Sequence, residues 1–315
     1  MNFYTKRKAT SSSSYLGLAF VLMASIYSTG CSRKAAAAAD SSEQAAFTTP
    51  AEAGQALQVA SRSHDESGLE GILGKGSAEI LRSGDPVEDK AAIDAFTKKY
   101  DRMNRWVMLA DGSQILYVGA DNYPFPIPLT KNSSGKWHFD TEAGEDEILA
   151  RRIGRNELLA IDATAAIAKA QEVYFRTAPG ERQYAKRIVS NPGTKDGLYW
   201  KELKGEASSP LGRLPDFPKY VTAGDPQLLD GYFFRILTAQ GNAAKGGRHN
   251  YLAEGRMTGG FAVIASPAKY ADSGIMTFIL NRNGVVYQKD LGERTADIAA
   301  SIKEYDPADG WTPAE

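Results

Sequence analysis

GGFAVIASPAKYADSGIMTFILNRNGVVYQKDLG, residues 259–292, holds three runs of β-branched and aromatic residues, at 261–265, 275–280 and 285–289. Such side chains suit a pleated, half-buried surface. The last two runs are separated by Asn281, Arg282, Asn283 and Gly284, turn residues that close a tight antiparallel hairpin. Upstream, residues 231–238 and 256–265 supply further strands, so the C-terminal part is expected to be an antiparallel sheet. Residues 144–177 are strongly helical, with Leu158, Ile161, Ala165, Ala168 and Phe175 near one face and Gly154 the point where the helix would break. Residues 179–230 are rich in Gly, Pro, Ser and Asp. They read as a long irregular excursion with a short helix near 184–189, and 191–230 as its irregular loop.

The N-terminal part shows the reverse order, helices before strands. Thr49, Pro50 and Glu52 spell a capping box with proline in the first helical position, followed by Ala53, Ala56, Leu57 and Ala60 at helical spacing. Leu69, Ile72 and Leu73 predict a second helix ended by Gly74 and Gly76. Asp85, Pro86 and Glu88 open a third, with Ala92, Ile93, Phe96 and Tyr100 on its inner face. The period then changes to that of strands at 105–109, 114–119, 125–130 and 136–140, separated by Asp111-Gly112, by Pro124, Pro126 and Pro128, and by 132–135. The expected fold class is α+β: two modules, at 47–143 and 144–315, each with helix packed on a curved antiparallel sheet.

Ahead of both modules, Lys6, Arg7 and Lys8 precede an apolar run at 15–27 and the small residues Ser28, Thr29 and Gly30, which lead to Cys31, the one cysteine of 315 residues. The run is short and interrupted for a membrane span, which needs about 20 apolar residues. It reads as a signal peptide, 1–30, with Cys31 as the lipid attachment site of a bacterial lipoprotein. Ser28 stands where such signals usually carry Leu, and plain cleavage without lipid is the alternative. Ser32 follows the cysteine in place of the Asp that resembles an inner-membrane retention signal, which places the protein in the cell envelope, lipid-anchored to the outer membrane and facing the periplasm. Residues 31–46 have no large apolar side chain until Phe47 and read as a flexible tether. Removing 1–30 takes away three cations and no anions, leaving 34 Lys and Arg against 38 Asp and Glu, a net charge of −4. Nucleic acid is not an expected partner, because it would want a basic face.

Three helices followed by a sheet ending in Gly135-Lys136-Trp137-His138-Phe139-Asp140 resemble the cone-shaped nuclear-transport-factor-like fold. The second half, with "GYFFRILTA" before "FAVIASPAKYADSGIMTFILNRNGVVYQKD" and "AAIAKAQEVYF" ahead of both, resembles type IV pilin and pseudopilin head domains. It departs from them in one respect: the long helix is interior to the chain and carries Asp162, Lys169 and Glu172, which argues against filament assembly. Through "FTTPAEA", "DNYPFPIPL", "RRIGRNELLAID", "KDGLYW" and "GYFFRILTAQG", the whole chain resembles the bacterial family known as domain of unknown function 2950. That resemblance implies no established activity.

His64, His138 and His249 are scattered and lack zinc-ligand spacing; His138, between Trp137 and Phe139 in a strand, should face solvent. No Gly-x-Ser-x-Gly elbow exists. Ser133 and Lys136 sit in a hairpin turn, and 241–247 lacks the lysine and hydroxyl of a phosphate loop. No catalytic residue, cofactor or metal site is expected. The densest polar cluster is Arg151, Arg152, Arg155, Asn156 and Glu157, whose arginines could clamp a carboxylate or phosphate; the plainer reading pairs them with Glu145, Asp146 and Glu147 along the helix. Asp196 with Tyr199, Trp200, Tyr232 and Phe233 is a second candidate contact group. The first expectation is a non-catalytic envelope module binding a partner protein or a small envelope component. A competing one is a hydrolase using Asp121, Asp140 and Glu142, which demands a buried carboxylate with a raised pKa. A third is a structural part of a surface or secretion apparatus.

Overall fold

The computed structural model describes residues 44–74, 76–82, 86–177, 182–202, 208–212, 227–308 and 310–314. The signal segment, Cys31, most of the tether, Asp85 and residues 203–207 and 213–226 of the excursion lie outside the described residues.

Thr49 caps α1 (Pro50–Ser63) as its spacing predicts, its hydroxyl accepting from Glu52 N at 3.2 Å. The Glu52 carboxylate reaches back to Thr48 N at 3.0 Å, one residue before the cap. Asp65 caps α2 (Glu66–Leu73), a short α3 (Ser77–Leu81) follows, and α4 (Pro86–Arg102) lays Ile93 and Phe96 on the first core. Ala92 is exposed, outside the expected inner face. The first sheet has the order β1 (Asn104–Met108), β2 (Gln114–Val118), β4 (Leu129–Lys131), β5 (Trp137–Phe139), with β3 (Tyr123–Pro124) paired to β2. The strand expected over 125–130 shrinks to β4, because Pro126 and Pro128 have no N–H to give to a ladder. Leu57, Leu69, Leu73, Ile127, Leu129 and Phe139 form the first core. The chain enters it earlier than expected. Gln44 donates its side-chain amide to Leu73 O and Phe139 O, both at 2.7 Å, and Phe47 bridges β5 through mutual bonds with Trp137.

Helix α5 (Thr141–Thr177) runs unbroken for 37 residues, about 55 Å at the usual rise. Gly154 does not interrupt it; its side-chain position faces open space. The N-terminal turn belongs to the first module, where Thr141 donates to Leu73 O and Gly144 lies against Ile127. Its later turns pack on the second core. There the buried face is Ala160, Thr164, Ile167, Ala170, Gln171 and Tyr174, rotated from the expected one, and Leu158 is 63% exposed. Two polar residues are admitted because their bonds are complete. Thr164 donates to Ala160 O at 2.7 Å, and the Gln171 amide exchanges a pair of 2.8 Å bonds with Ala185 N and O.

That pairing also corrects the helix expected at 184–189. Ala185 is bonded to the Gln171 amide, and β-branched Ile188 and Val189 lie in β6 (Arg187–Val189), parallel to β7 (Gly197–Tyr199). The second sheet has the order β17 (Thr312–Pro313), β16 (Val286–Asp290), β15 (Met276–Asn281), β14 (Ala262–Pro267), β9 (Tyr232–Leu237), β8 (Gln227–Leu229). The hairpin joining β15 and β16 is the expected one, with Gly284 at positive φ and Asn281 Oδ1 accepting from Asn283 N. The strand expected over 256–265 is split. Short ladders pair β10 (Ala239–Gln240) with β11 (His249–Asn250) and β12 (Leu252–Ala253) with β13 (Arg256–Met257), and Gly259 and Gly260 separate β13 from β14. Helix α6 (Thr295–Ser301) covers β14. The architecture is α+β, with two hydrophobic cores sharing one long helix.

Candidate functional site

Residues 151–157 of α5 were the densest polar stretch in the sequence, and the structure does not gather them at one point. Arg151 turns to the first module: Nε donates to Glu147 Oε1 at 2.8 Å, Nη1 donates to Pro124 O at 2.8 Å, and the guanidinium lies 5.4 Å from the Tyr123 ring. Arg152 and Asn156 turn to the second. Arg152 pairs with the Asp272 carboxylate, and Asn156 Nδ2 donates to Ser273 O at 2.9 Å. Glu157 Oε1 accepts from Ile275 N at 2.9 Å and Met276 N at 3.0 Å. Arg155 is exposed and forms no hydrogen bond or ion pair among the described residues.

Tyr232 completes this joint from below. Wholly buried, it donates its hydroxyl to Met276 O at 2.9 Å, and burial, with the Glu157 charge adding, raises that hydroxyl far above the ordinary tyrosine value. Gly274 is required there, since a Cβ would fall on the Tyr232 hydroxyl. Tyr232 is therefore a core residue and joins no groove with the rest of its expected group. Asp196 closes the turn between β6 and β7, accepting from Asn191 N at 2.9 Å, Asn191 Nδ2 at 2.8 Å and Thr194 Oγ1 at 2.6 Å, with Arg187 Nε at 3.4 Å. Burial pushes its carboxyl up, but those bonds and the Arg187 charge outweigh it and hold the group below the usual carboxylate range. Tyr199 and Trp200 are half-buried against the second core, with Lys195 Nζ 5.7 Å from the centre of the Trp200 ring.

None of the three carboxylates of the hydrolase reading is buried. Asp121 is ion-paired with Lys99, and that bond holds its carboxyl below the usual range. Asp140 caps α5 by accepting from Ala143 N at 3.1 Å, and Glu142 is exposed. Among the described residues, no group of three or more His, Cys, Asp and Glu is placed to hold a metal ion, and no helix is long and apolar enough to cross a membrane. His138 sits less freely than its sequence context implies. Trp137 and Phe139 face the core as expected, but His138 is half-buried and its Nδ1 is enclosed without a hydrogen-bond partner among the described residues.

The profile of the family described as Protein of unknown function (DUF2950) matches residues 44–314, which takes in both cores and α5. The chain belongs to that family. Neither the curated proteins nor the solved structures hold a match to it. The family's match begins at Gln44, the residue whose amide ties the chain to α2 and β5.

Sequence reading passed over one feature that the fold creates. Gln240, 3% exposed, donates to Lys245 O at 3.0 Å and Gly247 O at 2.7 Å and accepts from the Tyr251 hydroxyl at 2.9 Å, which shapes the loop before β11. That loop carries Arg248 to a cleft of about 370 Å³ beside Trp311. No motif marks it, because its residues come from three separated segments.

Proposed function

We propose that this chain is a lipid-anchored envelope protein that works as a non-catalytic binding module. The observation that carries the reading is the use of its polar clusters. Arg151, Arg152, Asn156, Glu157, Asp121, Asp140 and Asp196 are all engaged in pairs and caps that hold the fold, and Glu142 is solvated. A general acid or base needs a group free to exchange its proton at a pKa near the working pH. Asp121 and Asp196 are held the other way, below the usual carboxylate range, by their bonds and neighbouring cations. The anchor is read from Cys31 and the small residues before it, and a short spacer then leads to the point where Gln44, Ala45 and Phe47 are tied into the first module.

The test is mass spectrometry of the protein purified from its native membrane after mild cross-linking. A triacylated peptide beginning at Cys31, with one reproducible cross-linked partner, is the expected result. An unmodified Cys31 in a freely soluble protein would overturn the anchor.

A further inference from the structure

Between the end of α6, the segment that follows it and the loop carrying Arg248 lies the cleft of about 370 Å³. Its apolar lining is the half-buried Trp311, which packs against the second core, Ile302, and Ile279 of the central strand β15. Its rim holds Arg248, Lys303, Glu304 and Asp306. The rim is fixed by the protein's own bonds. Arg248 Nη1 donates to Glu304 Oε1 at 2.6 Å, Lys303 Nζ donates to Ala300 O at 2.8 Å, and Asp306 Oδ1 accepts from Ala243 N at 2.8 Å. Gly241 makes room for the last of these, since a Cβ there would fall on the Asp306 carboxylate.

Two cations and two anions leave the rim without net charge. A charged ligand would have to displace one of these partners and leave its mate uncompensated. Hydroxyl groups need displace nothing: they can donate to carboxylate lone pairs still open and accept from the remaining guanidinium and ammonium N–H groups. An indole among aliphatic side chains favours a ligand with a flat C–H surface. The volume is at the small end of ligand sites, which run from roughly 300 to 1,000 Å³.

We propose that the Trp311 cleft binds a neutral saccharide, one or two rings stacked on Trp311 with their hydroxyls directed to Arg248, Glu304 and Asp306. The inference deepens the binding-module reading and rests on it, naming the ligand class that the module would take.

The experiment titrates the full chain, in a detergent without a sugar headgroup, with glucose, N-acetylglucosamine and N,N′-diacetylchitobiose, followed by calorimetry and tryptophan fluorescence. Inorganic phosphate and glycine serve as charged and zwitterionic probes. At least one of the saccharides should bind saturably with Kd on the order of millimolar, and Trp311→Ala should weaken it by about tenfold or more. Should that variant misfold, Ser301→Trp fills the cleft from its exposed rim and should abolish binding while the circular dichroism stays unchanged. Absence of saturable saccharide binding, full binding by the Ser301→Trp protein, or preference for phosphate or glycine would each overturn the proposal. A chain with unmodified Cys31 that still binds sugar would sink the anchor alone. A triacylated chain that binds none would sink the cleft alone.

Discussion

The two cores are built from different chemistry. The first closes with Leu57, Leu69, Leu73, Ile127, Leu129, Trp137 and Phe139, side chains with no proton to lose near physiological pH. The second buries five tyrosines, Tyr174, Tyr184, Tyr232, Tyr251 and Tyr305. Several of their hydroxyls have definite acceptors: Lys195 O for Tyr174, Met276 O for Tyr232 and the Gln240 amide for Tyr251. An apolar core needs only volume and periodicity, whereas a tyrosine core also needs each hydroxyl to meet a partner. The second core is consequently the more specified of the two and the more open to disruption by base.

Alkaline titration should separate the cores most widely. Burial raises the hydroxyls of all five tyrosines above their unfolded values, that of Tyr251 to about 12. A raised folded pKa means that the stability is fully present below about pH 10 and is lost as pH climbs through the folded value. Near-ultraviolet absorbance and circular dichroism should therefore show the second core opening cooperatively above about pH 10, the largest effect in the set. Ionisation of the tyrosines with the fold intact would remove the distinction. Acid acts in the other sense. Hydrogen bonds from Ser113 to Asp111 and from Lys99 to Asp121 hold those carboxyls low, so what they contribute is present above about pH 4 and fades below it.

Gly274→Ala comes next, because the new methyl falls on the wholly buried Tyr232 hydroxyl. Urea unfolding should report a loss of about 3 kcal/mol or more. Gln44→Ala strikes the first module instead. It takes the amide from Phe139 O and leaves Leu73 O to the Thr141 hydroxyl, and should cost about 1 kcal/mol in the same assay. Smallest of all is Arg62→Ala, which breaks the pair with Asp101 at positions 61% and 45% exposed. Its expected effect is within about 0.5 kcal/mol, and a larger one would mean that the α1–α4 surface contributes more than exposed pairs usually do.

How far the sequence could be read follows the same division. The capping box at Thr49, the first-module helices that pack on the apolar core and the hairpin at Gly284 were legible because their signals are local. The inner face of α5 was misjudged because Thr164 and Gln171 look like surface residues until Ala160 O and Ala185 are beside them. The sequence signal of a helix at 184–189 fails for the same reason, since Ala185, just before β6, is held by Gln171, 14 residues upstream. Arg152 and Asn156 stand out as polar residues in the sequence, but their partners, Asp272 and Ser273, lie 120 and 117 residues away. No local pattern distinguishes an arginine awaiting a ligand from one awaiting a distant turn. The Trp311 cleft had no signal at all, being assembled from the Arg248 loop, β15 and the C-terminal segment.

Residues 151–157 are bonded to Pro124 on one side and to Asp272, Ser273, Ile275 and Met276 on the other, an arrangement that a bound anion would have to break. Hydrogen exchange on the full chain tests it directly, comparing Glu157→Gln with Arg155→Gln, each with and without inorganic phosphate. The account predicts that Glu157→Gln speeds exchange at Ile275 and Met276, that Arg155→Gln changes nothing there, and that phosphate protects neither segment. Equal loss of protection in the Arg155→Gln protein, or slowed exchange across 151–157 on adding phosphate, would contradict it.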